Sequence, residues 1–464
     1  MIAMTLAQAA TAMSGDLRDA TDDIVLDTVV TDSREAGPGA LFIAVVGETH
    51  DGHDHVPAAL GAGCVAAVVS RPVPGPHILV DDTVAAAGRL ARAVIDRCED
   101  LQVVALTGSS GKTSTKDLLK VVLSAAAPTV APQGSFNNEL GLPRTVFEVT
   151  SATRYLVAEM GARGTGHIAY LCTIAPPDVA MALNVGQAHL SEFGSRDGIA
   201  KAKSEIVAAL GSDGVAVLNA DDPRVMGMAA KAPGRIITFG QSAGADVRIT
   251  ALDLDDGRPV VTLAHGGEEV VIRPDLYGEH QAFNMAAAVA AAVALDLDFV
   301  AAAEALQSVR LDSRWRMEVD TSADGVTVIN DAYNANPESM GAGLRALAAM
   351  GRGKRTWAVL GEMRELGPTS AAEHDAIGRL CVRLNISRLI AVGAGAKSIH
   401  MGAAHEGSWG DESMTVDTVE QAIDVLQAQV QPGDVVLVKA SRGAALERVS
   451  DALVGLWSEG KVQD

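Results

Sequence analysis

The eight residues Thr107-Gly108-Ser109-Ser110-Gly111-Lys112-Thr113-Ser114 constrain the fold of this chain more than any other segment. They follow an apolar run, Val103-Val104-Ala105-Leu106, that reads as a strand. They open onto Lys116-Asp117-Leu118-Leu119-Lys120-Val121-Val122-Leu123, which reads as a helix. Strand, glycine-bearing turn, Lys-Thr and helix form the layout that cradles a nucleoside triphosphate. Gly108 and Gly111, with Ser109 and Ser110 between them and Ser114 just beyond, let backbone N–H groups close on phosphates. Lys112 can reach the β/γ oxygens, and Thr113 can offer its hydroxyl to a magnesium ion. Leu106 stands where a generic phosphate loop has its first glycine, so the match is to a narrower form of the motif.

A chain of 464 residues is too long for one core, and two to four domains are expected. Hydrophobic residues at 48% and charged residues at 20% mark an ordinary globular protein. The net charge of −21 leaves no basic surface for counterion release, which argues against nucleic acid as a partner but not against small anionic substrates. Cys64, Cys98, Cys172 and Cys381 show no C-x-x-C spacing, so neither a zinc site nor a disulfide frame is suggested, and a reducing, cytoplasmic setting fits. Met1 to Met13 lacks a positive n-region and reads as an amphipathic helix. The alanine-rich stretch Met285 to Leu306 is interrupted by Asp296 and Asp298 and reads as buried helices, not a membrane span.

Apolar strands alternate with helices from residue 101, at 102–107, 154–159, 178–184 and 214–218, which implies a mostly parallel sheet covered on both faces. Residues 245–275 break the rhythm with two antiparallel strands joined at Asp255-Asp256-Gly257. A new α/β rhythm starts after Leu311, with strands at 326–330, 356–360, 388–392 and 434–438. The expected organisation is therefore α/β in three domains, at 1–100, 101–311 and 312–464.

Other residues carry chemistry only in combination. Glu159 ends a strand where parallel sheets gather ligands, and it suits a metal as well as a solvated strand end. His189 lies in a loop after a strand, as a metal ligand or simply an exposed side chain. Lys201 and Lys203 sit on one helix-like stretch and point to nearly opposite faces, so only one can face a site. Asn284, in the polar opening of the alanine-rich helix, could cap that helix or reach a nucleotide. Arg314 or Arg316 precedes a strand that runs into Asn330-Asp331-Ala332-Tyr333-Asn334-Ala335-Asn336-Pro337, a density of polar groups that favours binding over turn chemistry.

Together these pieces resemble the Mur ligases, the ATP-dependent amino-acid ligases of peptidoglycan assembly. The phosphate loop has that family's T-G-x-x-G-K-T form, and Glu159, His189, Lys203, Asn284, Arg314 and Asp331 follow in the family's order. Within it the chain is similar to the dipeptide-adding branch. Thr31-Asp32-Ser33-Arg34-Glu35, Pro38 to Phe42 and Asp51-Gly52-His53 resemble the UDP-binding domain. Ser135-Phe136-Asn137-Asn138-Glu139-Leu140-Gly141, the Asp331–Pro337 run, Leu360 to Gly367 and Val438 to Gly443 resemble the loops of that branch. The D-N-P-R run of a diaminopimelate-adding relative is missing, and Gln281 stands where several relatives have Asn.

The resemblance implies a small UDP-binding domain, a central P-loop-type ATPase domain and a Rossmann-like C-terminal domain. It implies ATP, two magnesium ions, and UDP-N-acetylmuramoyl-tripeptide and D-alanyl-D-alanine as substrates of a monomer. Lys112, Glu159, His189 and Lys203 are then the catalytic set, with Thr113, Glu159, His189 and an N-carbamylated Lys203 on the metals. ATP falls to residues 108–114 with Asn284, Arg314, Asp331 and Asn334, and the UDP-substrate to Ser33, Arg34, Phe42, Asn137 and Asn138. The rival readings are a tripeptide synthetase, a folylpolyglutamate synthase, or a nucleotide-binding protein without catalysis.

Overall fold

The computed structural model describes every residue except 48, 188–189, 323–324, 409 and 460–464. Its strands form three main sheets and one small strand pair, Met4–Thr5 with Val25–Leu26. The first main sheet has five strands in the order Asp16–Arg18, His77–Leu79, Ala66–Val69, Ala40–Ile43, Thr28–Val30, parallel except for the first. Alternate side chains of one strand enter different cores. Leu41 and Ile43 join the cluster with helix Thr83–Ile95, while Ala40 and Phe42 pack on the other face with Val56 and Ala59.

The second sheet has nine strands. From one edge they are Thr129–Val130, Tyr155–Glu159, Gln102–Thr107, Val179–Ala182, Val215–Asn219, Arg235–Gly240, Val247–Asp255, Arg258–His265 and Glu268–Ile272. Neighbours are parallel as far as Val247–Asp255, and the last two strands add antiparallel hairpins. Asp256 (φ 45°) and Gly257 (φ 80°) make the first hairpin turn, both left-handed, which matches the twist of the flanking strands. Glu268–Ile272 is a strand that the sequence reading leaves out. The chain leaves Gln102–Thr107 for one side of the sheet and returns to the other, so the C-terminal end of that strand is a topological switch point, where ligands bind. Helix Lys112–Ala126 starts there. Helix His280–Ala294 packs beside it, and its alanines allow close approach. That helix stops at Asp296, at φ 57°, and Asp298 caps the next one, Phe299–Glu304, through Ala301 N at 2.7 Å.

The third sheet orders Glu318–Thr321, Thr327–Asn330, Val435–Lys439, Thr356–Leu360, Arg388–Val392 and Ser413–Val416. Only the first is antiparallel to its neighbour. Helices cover both faces, giving two apolar layers. Among the described residues no helix is long and apolar enough to cross a membrane. All four cysteines are free thiols.

Candidate active site

A cavity of about 1000 Å³ lies between the second and third sheets and is lined from the C-terminal ends of strands in both. Its floor is the loop Ser109–Ser114. Gly111 holds φ +78°, and a Cβ there would meet Asn284 Oδ1 at 2.6 Å, so only glycine fits. Gly108 lies outside the lining and contributes its carbonyl, which accepts from Lys112 Nζ at 2.8 Å. Asn184, just past strand Val179–Ala182, accepts from Ser109 N and Ser110 N at 3.0 Å each and donates to Ser110 O at 3.1 Å. Asn284 accepts from Thr115 Oγ1 at 3.3 Å and donates to Gln281 Oε1 at 2.9 Å. Gln281 is buried and lies outside the lining, so it acts on the cavity only by orienting Asn284.

Glu159 ends strand Tyr155–Glu159 and is 1% exposed. Its Oε1 accepts from Asn137 Nδ2 at 2.7 Å, while Oε2 is buried without a hydrogen-bond partner. An orphaned carboxylate oxygen is costly, and a hard divalent cation is the chemistry that would satisfy it. Thr113 Oγ1 adds a second oxygen in the same cavity. Among the described residues no three His, Cys, Asp or Glu side chains gather into a metal site of their own. Glu159 and Thr113 therefore suit a hard divalent cation such as magnesium as partial ligands. Lys203 ends helix Arg196–Lys203 and lines the cavity, whereas Lys201 is exposed. Burial, with the Lys112 charge added, pushes the Lys203 ammonium well below its ordinary value. Burial also lowers Lys112, against the opposing pull of Glu159. His189 lies outside the described residues.

The opposite wall comes from the third sheet. Asp331, past strand Thr327–Asn330, accepts from Lys439 Nζ at 2.6 Å and from Met317 N at 3.2 Å. Lys439 also donates to Asn334 O at 3.0 Å, and burial lowers its ammonium. Asn336 Nδ2 crosses to Ser109 O at 3.2 Å. Arg316 Nη2 donates to Thr113 Oγ1 at 3.2 Å and to Ser135 Oγ at 3.3 Å, with its guanidinium over the Tyr333 ring at 4.1 Å.

Several expected site residues lie elsewhere. Arg314 is exposed, 5.5 Å from the Trp315 ring, and Arg316 takes the place in the wall expected of it. Phe42 cannot serve as a binding surface. It is 1% exposed and packs with Val56 and Ala59 on one face of the first sheet, and a ligand could touch it only by opening that core. Ser33 and Arg34 form a 3₁₀ turn outside the cavity, and Arg34 Nε bonds Asp32 at 3.0 Å. Their neighbours Thr31 and Glu35 line a small second hollow with Leu140 and Arg144. Asn138 lines the main cavity and accepts from Gly141 N at 2.9 Å, steadying helix Gly141–Val146. Asn184, Ser135, Asn336 and Lys439 were not singled out from the sequence. Their position just past strand ends or in the quoted loops was the available signal.

Three family models cover the chain: "Mur ligase family, catalytic domain" at residues 26–106, "Mur ligase middle domain" at 106–292 and "Mur ligase, glutamate ligase domain" at 315–442. The UDP-N-acetylmuramoyl-tripeptide–D-alanyl-D-alanine ligase of Mycobacterium tuberculosis is 44% identical, with 100% of both chains covered. The ligase of that name from Escherichia coli is 34% identical over 98% of this chain and 99% of its own. A crystal structure of MurF from Acinetobacter baumannii matches at a TM-score of 0.89 and 32% identity, covering 98% of this chain and 99% of that one. The Thermotoga maritima MurF ligase in complex with ADP matches at 0.82 and 30%, covering 93% and 98%. Folylpolyglutamate synthase from Mycobacterium tuberculosis, at 19% identity and 0.61 over 79% of this chain and 94% of its own, shares the fold alone.

Proposed function

The chain belongs to the Mur ligase family of ATP-dependent amide ligases, and we propose that it joins D-alanyl-D-alanine to UDP-N-acetylmuramoyl-tripeptide in the synthesis of the peptidoglycan precursor. One observation carries the site assignment. Lys112, Thr113, Glu159 and Lys203 from the second sheet's domain meet Arg316, Asp331 and Lys439 from the third around a single cavity. The three-domain division at 1–100, 101–311 and 312–464 belongs to the same reading, supported by each main sheet lying within one interval.

The carboxylate of the tripeptide attacks the γ-phosphorus of ATP, and ADP leaves. The amine of the dipeptide then attacks the acyl carbon, phosphate leaves, and the nitrogen gives up a proton as the amide forms. The first step drives anion toward anion. Each pair of unit charges about 4 Å apart costs about 4 kcal/mol at an effective dielectric of 20. Lys112 and Arg316 supply positive charge against that repulsion. Magnesium held by Thr113 and Glu159 would neutralise and align the oxygens, and Lys203 as an N-carbamate, with His189, would supply anionic and neutral donors for a second ion. Asn284, Asp331 and Asn334 serve the nucleotide, and Asn137 holds Glu159 in place. Enclosure between two domains keeps water from the acyl phosphate. A cytoplasmic setting belongs to the same reading, supported by four free thiols and by the use of ATP.

The experiment is an acceptor screen by coupled phosphate release, with UDP-N-acetylmuramoyl-tripeptide as donor. D-alanyl-D-alanine should support turnover and diaminopimelate, lysine and glutamate should not. Turnover with one of the single amino acids, and none with the dipeptide, would overturn the assignment.

A further inference from the structure

Helix Lys112–Ala126 carries a second charged cluster outside the cavity lining. The side chains of Lys116 and Asp117 are 1% and 2% exposed and are bonded to each other. Nothing in the reaction above uses them. Neighbouring helical residues point about 100° apart, so this is not one of the usual helix-surface pairs. Lys116 Nζ also donates to Pro132 O at 2.9 Å and to Ser313 Oγ at 3.3 Å. Asp117 Oδ2 accepts from Ser313 N at 3.2 Å. The pair therefore ties two distant segments to the phosphate-loop helix. One turn further on, Lys120 reaches Asp312 of the same linker at 2.7 Å, though at the exposed surface.

These three segments meet a second time. Thr113 stands three residues before Lys116, Ser135 three after Pro132, and Arg316 three after Ser313. Thr113 Oγ1 lies 2.8 Å from Ser135 Oγ and 3.2 Å from Arg316 Nη2. The buried cluster and the cavity cluster are thus two junctions of one frame. A buried ion pair carries a desolvation cost that apolar packing would avoid, and fixing the register of converging segments is the attested use of such a cost. We propose that Lys116 and Asp117 are positioning residues, a buried clasp that sets Ser135 and Arg316 against the hydroxyl of Thr113. The proposal rests on the ligase reading only for its kinetic readout.

The test is the double variant K116M/D117N, which removes both charges without orphaning either and keeps an acceptor for Ser313 N. Hydrogen–deuterium exchange over 311–317 should quicken while the melting temperature changes little. Misplacement by about an ångström can cost up to about 10²-fold. In single-turnover phosphate release the double variant should lose about tenfold in rate, but less than about twofold when placed in an R316A background, because the clasp acts through Arg316. If the double variant does not fold, S313A, which removes only the Oγ acceptor, should show the same pattern on a smaller scale. Equal losses in both backgrounds, or unchanged exchange over 311–317, would overturn the clasp. A wild-type chain without ligase turnover would instead unseat the reaction, leaving the exchange result to judge the clasp.

Discussion

Lys203 is penalised twice as an ammonium, first by burial and then by the charge of Lys112. The cavity therefore favours its neutral amine, the form that adds CO₂. That addition releases a proton and replaces a neutral amine with an anion beside Lys112. K203A should lower turnover by at least about 10²-fold, the scale of losing one group that holds developing charge. A small carboxylic acid such as acetate should restore part of the rate, and full activity without it would remove the carbamate. The sign of the pH effect follows from the direction of the shift. The folded pKa lies below the ordinary 10.5, so between the two values the unfolded chain binds more protons and stability rises with pH. Below the folded value the amine is protonated, and carbamate formation should fall away. K203M should flatten that limb of the stability–pH curve. The sequence already showed that only one of Lys201 and Lys203 could face inward, because two helical steps turn the side chain about 200°. Which lysine faces inward, and that a second ammonium stands beside it, depends on packing from other segments.

The linker 311–317 shows where reading by element runs out. In an extended segment residues 314 and 316 share a face, so side-chain periodicity offers no ground for choosing between the two arginines, and the choice of Arg314 rests on the family's residue order alone. Trp315 and Met317 adopt left-handed φ values of 59° and 53°, which side chains of that size rarely adopt, and the alternation fails. Arg314 is left exposed by Trp315, and Arg316 turns inward over Tyr333. Phosphate-release kinetics should separate them. R316A is expected to cost about 10²-fold in kcat, as for loss of a charged hydrogen bond at developing phosphate charge, and R314A less than about twofold. Equal effects would mean the linker takes another conformation in solution. By contrast, the hairpin at Asp256-Gly257 was legible because Asp-Gly is a residue pair that accepts two positive φ values. Glu268–Ile272 was not, since three of its five residues are exposed and no clear alternation marks it.

Across the whole molecule the two domain junctions differ in kind. Helix Thr83–Ile95 shares one apolar cluster with Leu142, Val146, Leu171 and Ile174, so the first and second sheets' domains are joined by core. The junction with the third sheet's domain is largely polar. Gln187 N donates to Glu338 Oε1 at 2.9 Å, Ser191 Oγ to Glu365 O at 3.0 Å, and Asn336 to Ser109 O at 3.2 Å. Polar junctions within a chain are the ones that reopen. No residue pattern announced this, because it depends on which apolar side chains of distant helices meet. It follows that the first two domains should move as one body and the C-terminal domain should swing about 311–316. A compact chain of this length has a radius of gyration of about 23 Å. Small-angle scattering without ligands should give a larger and broader value, contracting toward that figure when ATP and UDP-N-acetylmuramoyl-tripeptide are both present. ATP alone should give only part of the change, since the remaining contacts need the donor carboxylate in the cavity. The K116M/D117N variant, with its linker freed from the phosphate-loop helix, should start wider and still contract. A wild-type radius that stays constant without ligands, with ATP alone and with both ligands would show that the two halves of the site are already locked together, and closure would then play no part in excluding water.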